Sequence, residues 1–332
     1  MRRLTLILSD LYLPEEAGRG VSPPPTHELP HLEWLLRFAD SPEYIGDWRR
    51  WLIERTSPGF QGQSIAGISA SFPVDDRNVA ICFATPVALK ARLDHIRLLD
   101  RGLLHLDVAE RASACEEFAR IFGPTYQLRD GGERTFYLSG LPEKLVRTVD
   151  PARLLGNEIG PAFPGRDAAE LRRLWTEIEM WLHGAAFNAA RERAGKRRIS
   201  ALWMWGAEPI AAGLVEPGLA AGAYLGGDPL VEALSRMRGG SGGRAQTVPM
   251  RLGDIDPALA DVVAEFAVLT GAAHENLPAL DARWFQPARV ALETGDIRQV
   301  DIVANDRRFR IGARPQWKVW RRRQHWLARL GS

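Results

Sequence analysis

The chain reads as an α/β protein whose core is built from both ends of the sequence, with an α+β domain inserted between them. Three observations carry that reading. Short apolar strands alternate with amphipathic helices near both termini, the pattern of layered α/β architecture. From about Ser71 the pattern changes to short alternating runs separated by turn residues. Glu177 to Gly206 then reads EIEMWLHGAAFNAARERAGKRRISALWMWG, a long helix, a basic turn and a buried strand. The expected division is 1–72 with 165–332 for the core and 73–164 for the insert.

In chain order, Leu4 to Leu8 is a first buried strand, followed by a proline-rich loop, Val21 to Pro30. His31 to Phe38 and Trp48 to Arg55 place tryptophan and leucine at helical spacing. Val79 to Phe83, Ile96 to Leu99, Leu103 to Leu106, Tyr126 to Arg129 and Thr135 to Ser139 read as strands. Asp130-Gly131-Gly132 is the turn of a hairpin between the last two. Asp107 caps a helix that runs through Phe122 and stops at Gly123-Pro124. Asp167 caps the long helix that Gly195 closes, and Ile199 to Trp205 is the strand behind it. Gly206 frees the backbone at that strand's tip, where ligands of open α/β sheets bind. Beyond it lie a strand at Ala221 to Leu225, a helix at Pro229 to Met237, a GGSGG loop and a strand at Ala245 to Met250. Asp256-Pro257 predicts a helix to Leu269, and Val300 to Ala304 with Phe309 to Gly312 flank a turn at Asn305-Asp306.

Composition is that of a soluble globular protein: 332 residues, 45% hydrophobic and 25% charged. A net charge of +2 gives no global electrostatic case for nucleic acid or membrane, so neither is expected as a partner. Cys82 and Cys115 sit in apolar contexts and read as buried free thiols. The start, MRRLTLILSD, has too short an apolar run for a signal peptide, and no stretch reaches membrane-spanning length. A cytoplasmic location follows as the expectation.

Three blocks carry a family resemblance. They are TPVALKARLDHIRLLDRGLLHLDVAE (Thr85 to Glu110), the Glu177 to Gly206 segment and the closing WKVWRRR. On these the sequence resembles the RpfE-type regulatory proteins. That family is in turn similar to the archaeal-type cofactor-independent phosphoglycerate mutases of the alkaline phosphatase superfamily. The resemblance implies a shortened alkaline phosphatase-like core. It also implies a comparison with enzymes that hold two metals on Asp and His ligands and use a serine as phosphoryl acceptor. Asp10 stands after the first strand as in those enzymes, but Leu11 replaces their glycine, and Ala207-Glu208-Pro209 replaces the glycine-rich continuation after Trp-x-Trp-Gly. The paired Asp/His ligand pattern is not found, so no metal or other cofactor is expected.

The reading is therefore a mutase-like pseudoenzyme acting in regulation or in binding a small, anionic ligand, with protein partners undefined. The alternatives are an active metal-dependent mutase or phosphatase, and a nucleic-acid-associated protein using the basic tail. Candidate ligand-binding residues are Asp10, Asn188, Arg191, Trp205 and Gly206; no catalytic residue is assigned. Asn188 and Arg191 share a helix face, and arginine suits phosphate or carboxylate, although a structural pair is the favoured alternative. Asp10 ends a strand expected in the same sheet as Ile199 to Trp205, which places the site between insert and core. His183 as a general base, and Asp254 and Asp256 as ligands, are lesser alternatives to core and capping roles. The Asp94-His95 pair reads as structural.

Overall fold

A computed structural model describes residues 3–11, 28–56, 60, 62–70, 79–142, 148–162, 169–210, 222–238, 251–255, 261–267, 277–304, 306–315, 321–322 and 324–331. In chain order its strands are β1 (Arg3–Leu8), β2 (Glu43–Tyr44), β3 (Val79–Ala91), β4 (Ile96–Leu103), β5 (Gln127–Asp130), β6 (Phe136–Pro142), β7 (Ala201–Trp205), β8 (Gly222–Leu225), β9 (Asp261–Phe266), β10 (Gln299–Ala304) and β11 (Arg307–Gly312). The α-helices are α1 (Pro30–Phe38), α2 (Trp48–Thr56), α3 (Ile65–Ala70), α4 (Val108–Phe122), α5 (Ala169–Gly184), α6 (Ala186–Arg193), α7 (Pro229–Arg238), α8 (Leu277–Leu280), α9 (Gln286–Thr294) and α10 (Trp326–Gly331). No described helix is long and apolar enough to cross a membrane. The protein is α/β, in two compact units. Met1–Gly18, Pro23–Phe60 and Gly213–Ser332 form the first; Gln61–Ala212, with Arg19–Ser22, forms the second.

The first unit is a six-stranded sheet in the order β2-β11-β10-β1-β9-β8. β10, β1, β9 and β8 run parallel, and β11 and β2 close one edge antiparallel. The run RLTLIL makes β1 a central strand because it can be buried on both faces. Leu4, Leu6 and Leu8 pack in one cluster with Leu32, Leu35 and Leu36 of α1, Leu292 of α9 and Trp326 and Leu330 of α10. On the alternate positions Thr5, Ile7, Val263 and Val303 are buried too. α1 has no side-chain cap at its own Leu29; Asp281, at the head of a π-helical turn, supplies one from elsewhere in the chain. Its carboxylate accepts from the backbone N of His31 at 3.1 Å and of Leu32 at 2.8 Å. Burial raises the Asp281 pKa, and those two amides oppose the rise.

β9 corrects the expected helix to Leu269. The run DVVAEF is buried at every position but its first, so neither face shows the alternation that would mark a strand. Asp256 and Pro257, which suggested a helix start, lie outside the described residues, as do the expected strand at Ala245 to Met250 and Asp167.

In the second unit the long strand β3 organises the sheet. Val79 to Ala84 pair with β6 and Val87 to Ala91 with β4, while Phe83 to Val87 pair antiparallel with β7. β7 therefore belongs to this sheet, and the division falls at 61 and 212 rather than at 73 and 164. A five-residue apolar strand behind a helix looks the same in sequence whichever sheet receives it. The two short strands expected within 96–106 are one strand, β4, and the β5–β6 hairpin turns at Asp130 as expected. α4 begins with a full capping box: the Asp107 side chain accepts from Glu110 N, and the Glu110 side chain accepts from Asp107 N, both at 2.9 Å. The single long helix expected before Gly195 is two, α5 and α6, because Ala185 adopts an extended ψ of 132°. Cys82 is buried on β3 and desolvation pushes its thiol up to about 12, in keeping with a buried free thiol.

Candidate functional site

The parallel strands of the first unit end together, and in α/β sheets ligands bind outside such carboxyl ends. β1 and β9 pair in register, Ile7 opposite Glu265 and Leu8 opposite Phe266, and the Ser9 amide continues the ladder to Phe266 O at 3.0 Å. That register brings the Ser9 hydroxyl onto Glu265, whose Oε1 accepts it. The other oxygen, Glu265 Oε2, accepts the backbone N of Gly227 and of Asp228, each at 3.1 Å. This approach requires glycine at 226: a Cβ there would lie 2.7 Å from Glu265 Oε2.

Asp228 extends the network. Its Oδ1 accepts from Leu230 N at 2.9 Å and caps α7, with Pro229 at the first helical position. Its Oδ2 accepts from Arg49 Nε at 3.0 Å and Nη2 at 2.8 Å. The Arg49 guanidinium lies 4.3 Å from the centre of the Trp48 ring. Ser9, Asp10, Arg49, Asp228 and Glu265 are all buried, and Asp10 also has interactions of its own. The charge is felt nearby: the Glu232 carboxyl on α7 is raised by burial, with Arg236 opposing and Asp228 adding to the rise. Glu265 and Asp228 thus each accept several protein donors, which include one guanidinium. Among the described residues no group of His, Cys, Asp and Glu is arranged to hold a metal.

The other expected site residues belong to the second unit. Asn188 is fully buried; its Nδ2 donates to Leu182 O at 2.8 Å and Ile199 O at 2.9 Å, and its Oδ1 accepts from Ile199 N at 2.9 Å. The Arg191 guanidinium donates to Arg197 O at 3.1 Å, His105 O at 3.2 Å and Glu110 Oε2 at 2.6 Å. Trp205 is buried, packs against Phe83 with ring centroids 4.7 Å apart and tilted by 39°, and donates to Thr85 Oγ1 at 2.9 Å. Gly206 has φ +76, a conformation that favours glycine, and a Cβ there would meet Phe83 at 2.8 Å. The expected juxtaposition of Asp10 with Gly206 in one sheet is corrected: Asp10 follows β1 of the six-stranded sheet, Gly206 follows β7 of the other. His183 is exposed, and His95 Nδ1 lies 2.6 Å from Asp94 in an exposed turn. Asp254 ends a short 3₁₀ turn, 3.6 Å from Arg251, and Asp256 lies outside the described residues.

Sequence reasoning reached Asp10 but missed Ser9, Arg49, Asp228 and Glu265. Asp228 had a visible signal, an Asp-Pro pair after two glycines. Glu265 had none once β9 was taken for a helix.

No protein-family model matches the chain, and no curated protein matches it in sequence. Among solved structures, the cofactor-independent phosphoglycerate mutase from Thermoplasma acidophilum DSM 1728 is similar at 15% identity and a TM-score of 0.37, over 94% of this chain and 89% of that one. The PH0037 protein from Pyrococcus horikoshii is similar at 13% identity and a TM-score of 0.43, over 94% of this chain and 87% of that one.

Proposed function

We propose that the chain is a regulatory or small-ligand-binding protein on a mutase-like α/β frame, without metal-dependent phosphotransfer of its own. One observation carries the reading: the buried carboxylates of Glu265 and Asp228 accept donors of the chain itself at the carboxyl ends of the parallel strands. A two-metal phosphotransfer site needs carboxylate lone pairs directed at the ions. Here the Arg49 guanidinium sits on Asp228 Oδ2 at 2.8 Å, and a metal would have to displace it. The ligand class we propose is a small anion. The Ser9 hydroxyl, the amides of Gly227 and Asp228 and the Arg49 guanidinium are donors an anion would use, and it would compete for them with Glu265 and Asp228. Membership of the RpfE-type family and a cytoplasmic location belong to the same proposal. They rest on the Glu177 to Gly206 block and on the two cysteines.

The test is a coupled assay of 2- and 3-phosphoglycerate interconversion with added manganese, run beside metal analysis of the purified chain. The expected result is no turnover above the blank and no stoichiometric metal. Robust turnover that Asp10→Ala abolishes would overturn the reading in favour of an active metal-dependent enzyme.

A further inference from the structure

Pro287 shapes a second region of the first unit. It lacks an N–H, so the carbonyl of Arg283, four residues back, is without its ordinary helical donor. Just before Pro287 the helix opens into the π-helical turn Asp281–Phe285, in which Gln286 N donates to Asp281 O, five residues back. One side of this turn is anchored. Trp284 and Phe285 are buried in the leucine cluster, and the Trp284 ring meets Phe266, the last residue of β9, edge-on with centroids 5.0 Å apart. Ala282 and Arg283 are exposed. The turn thus stands at the carboxyl end of the parallel sheet, where α/β proteins bind ligands. Glu265 and Phe266 are successive in β9 and face opposite sides of the sheet, so this is not the side that holds Ser9 and Glu265.

Beside it lies the 3₁₀ turn Leu252–Asp254, anchored through Leu252 in the same cluster. The two turns line a concavity of ≈ 470 Å³, whose described lining is Arg251, Gly253, Ala282, Arg283 and Pro287. That is the size of a small-molecule site. Gly253, Ala282 and Pro287 have no polar side-chain atom, and a Cβ on Gly253 would meet nothing within 4 Å, so the space there is open. Arg251 and Arg283 bring the charge. Arg283 pairs with no carboxylate among the described residues. Arg251 has Asp254 at 3.6 Å, beyond hydrogen-bond length, and its side chain stays 68% exposed. Two guanidiniums therefore stand beside apolar side chains with one carboxylate between them.

We infer that this concavity binds a small organic anion with an apolar body, its charged head on Arg283 and Arg251 and its body against Ala282 and Pro287. A bare inorganic ion would leave most of the ≈ 470 Å³ unfilled. A wholly apolar ligand would cover the guanidiniums without giving them an acceptor. The π turn suits the role, since such turns occur frequently at functional sites. Binding here does not draw on the donors of Ser9 and Arg49.

Fluorescence titration of the full chain with anilinonaphthalene sulfonate, an aromatic body with a single anionic head, tests this under native conditions. Binding should be saturable, with one molecule per chain. Arg283→Gln, a change at an exposed side chain, should weaken it about tenfold, the worth of one hydrogen bond to a charged group. Arg120→Gln, at an exposed arginine of the other unit, should leave binding unchanged. Phenylnaphthylamine, the same body without the sulfonate, should bind about tenfold more weakly, and sulfate should not displace the dye at equal concentration. Absence of saturable binding overturns the inference, as does binding that Arg283→Gln leaves intact or that Arg120→Gln weakens equally. A neutral analogue bound as tightly as the dye would make the concavity merely apolar, and displacement by equimolar sulfate would make it a site for a bare ion; either overturns the choice of ligand.

Discussion

Glu265 offers the sharpest test of how the carboxyl edge of the parallel sheet is held. Its carboxylate accepts three donors: the Ser9 hydroxyl, the Gly227 amide and the Asp228 amide. The hydroxyl and the Asp228 amide are buried, and the Gly227 amide is partly buried. Glu265→Ala strands the two amides and leaves the Ser9 hydroxyl only Phe266 O, at 3.4 Å. At about 1–3 kcal/mol for each donor left without a partner, the two amides predict a loss of about 2–6 kcal/mol. Glu265→Gln keeps one acceptor oxygen for the amides and can turn its NH₂ toward Ser9, whose hydroxyl can donate to Phe266 O at 3.4 Å instead. It loses only the added strength of charged over neutral hydrogen bonds, about 1–2 kcal/mol. Urea denaturation of both variants and the parent, compared at equal m-values, measures the difference. A loss below about 1 kcal/mol for Glu265→Ala would mean that water already reaches those donors. A Gln variant as damaged as the Ala variant would mean that charge, not acceptor geometry, holds the loop.

Gly226→Ala should cost about 1–3 kcal/mol, because its Cβ would lie 2.8 Å from the Glu265 Cβ; a loss under about 0.5 kcal/mol would show that Glu265 can give way. Trp205→Ala should cost about 3–5 kcal/mol by denaturant unfolding, since the indole is buried between Phe83 and Thr85, and a loss below about 1 kcal/mol would contradict its packing. The Asp107 pKa is lowered, first by the hydrogen bond from Lys196 and next by the Glu110 amide. With a folded pKa below the unfolded one, its contribution is full above the ordinary carboxylate range and is lost as pH falls through the lowered value. Lys196→Met should therefore flatten the acid limb of the stability profile, and superimposable acid limbs for the two proteins would refute the linkage.

Much of the fold was legible because the elements announce themselves locally. Asp107 with Glu110 marks the start of α4, Asp130-Gly131-Gly132 marks the β5–β6 turn, and Pro229 opens α7. What escaped was long-range. Which sheet receives Ile199 to Trp205 depends on pairing with Phe83 to Val87, more than a hundred residues earlier, and no local pattern encodes it. β9 was misread because a strand buried on both faces loses its period. The site followed the same rule. Asp10 was visible as a strand-end carboxylate. The partnership of Ser9 with Glu265 depends on a β1–β9 register that only the folded chain defines.

The anionic side chains of the first unit share a pattern that bears on function. Asp281 holds the first amides of α1, Asp228 caps α7, and Glu265 holds the two amides just before it. Each carboxylate sits where backbone N–H groups point outward and the helix dipole favours negative charge. An enzyme that recruited Asp228 or Glu265 as a metal ligand would have to turn it away from those donors and leave them unpaired in a buried setting. Binding then competes with folding. This is why stability and activity separate the two readings of the site. If the carboxylates are architecture, Glu265→Gln lowers stability modestly and leaves no activity to lose. If they are ligands, the same change abolishes turnover, and saturating metal should raise the midpoint of unfolding of the parent chain but not of the variant.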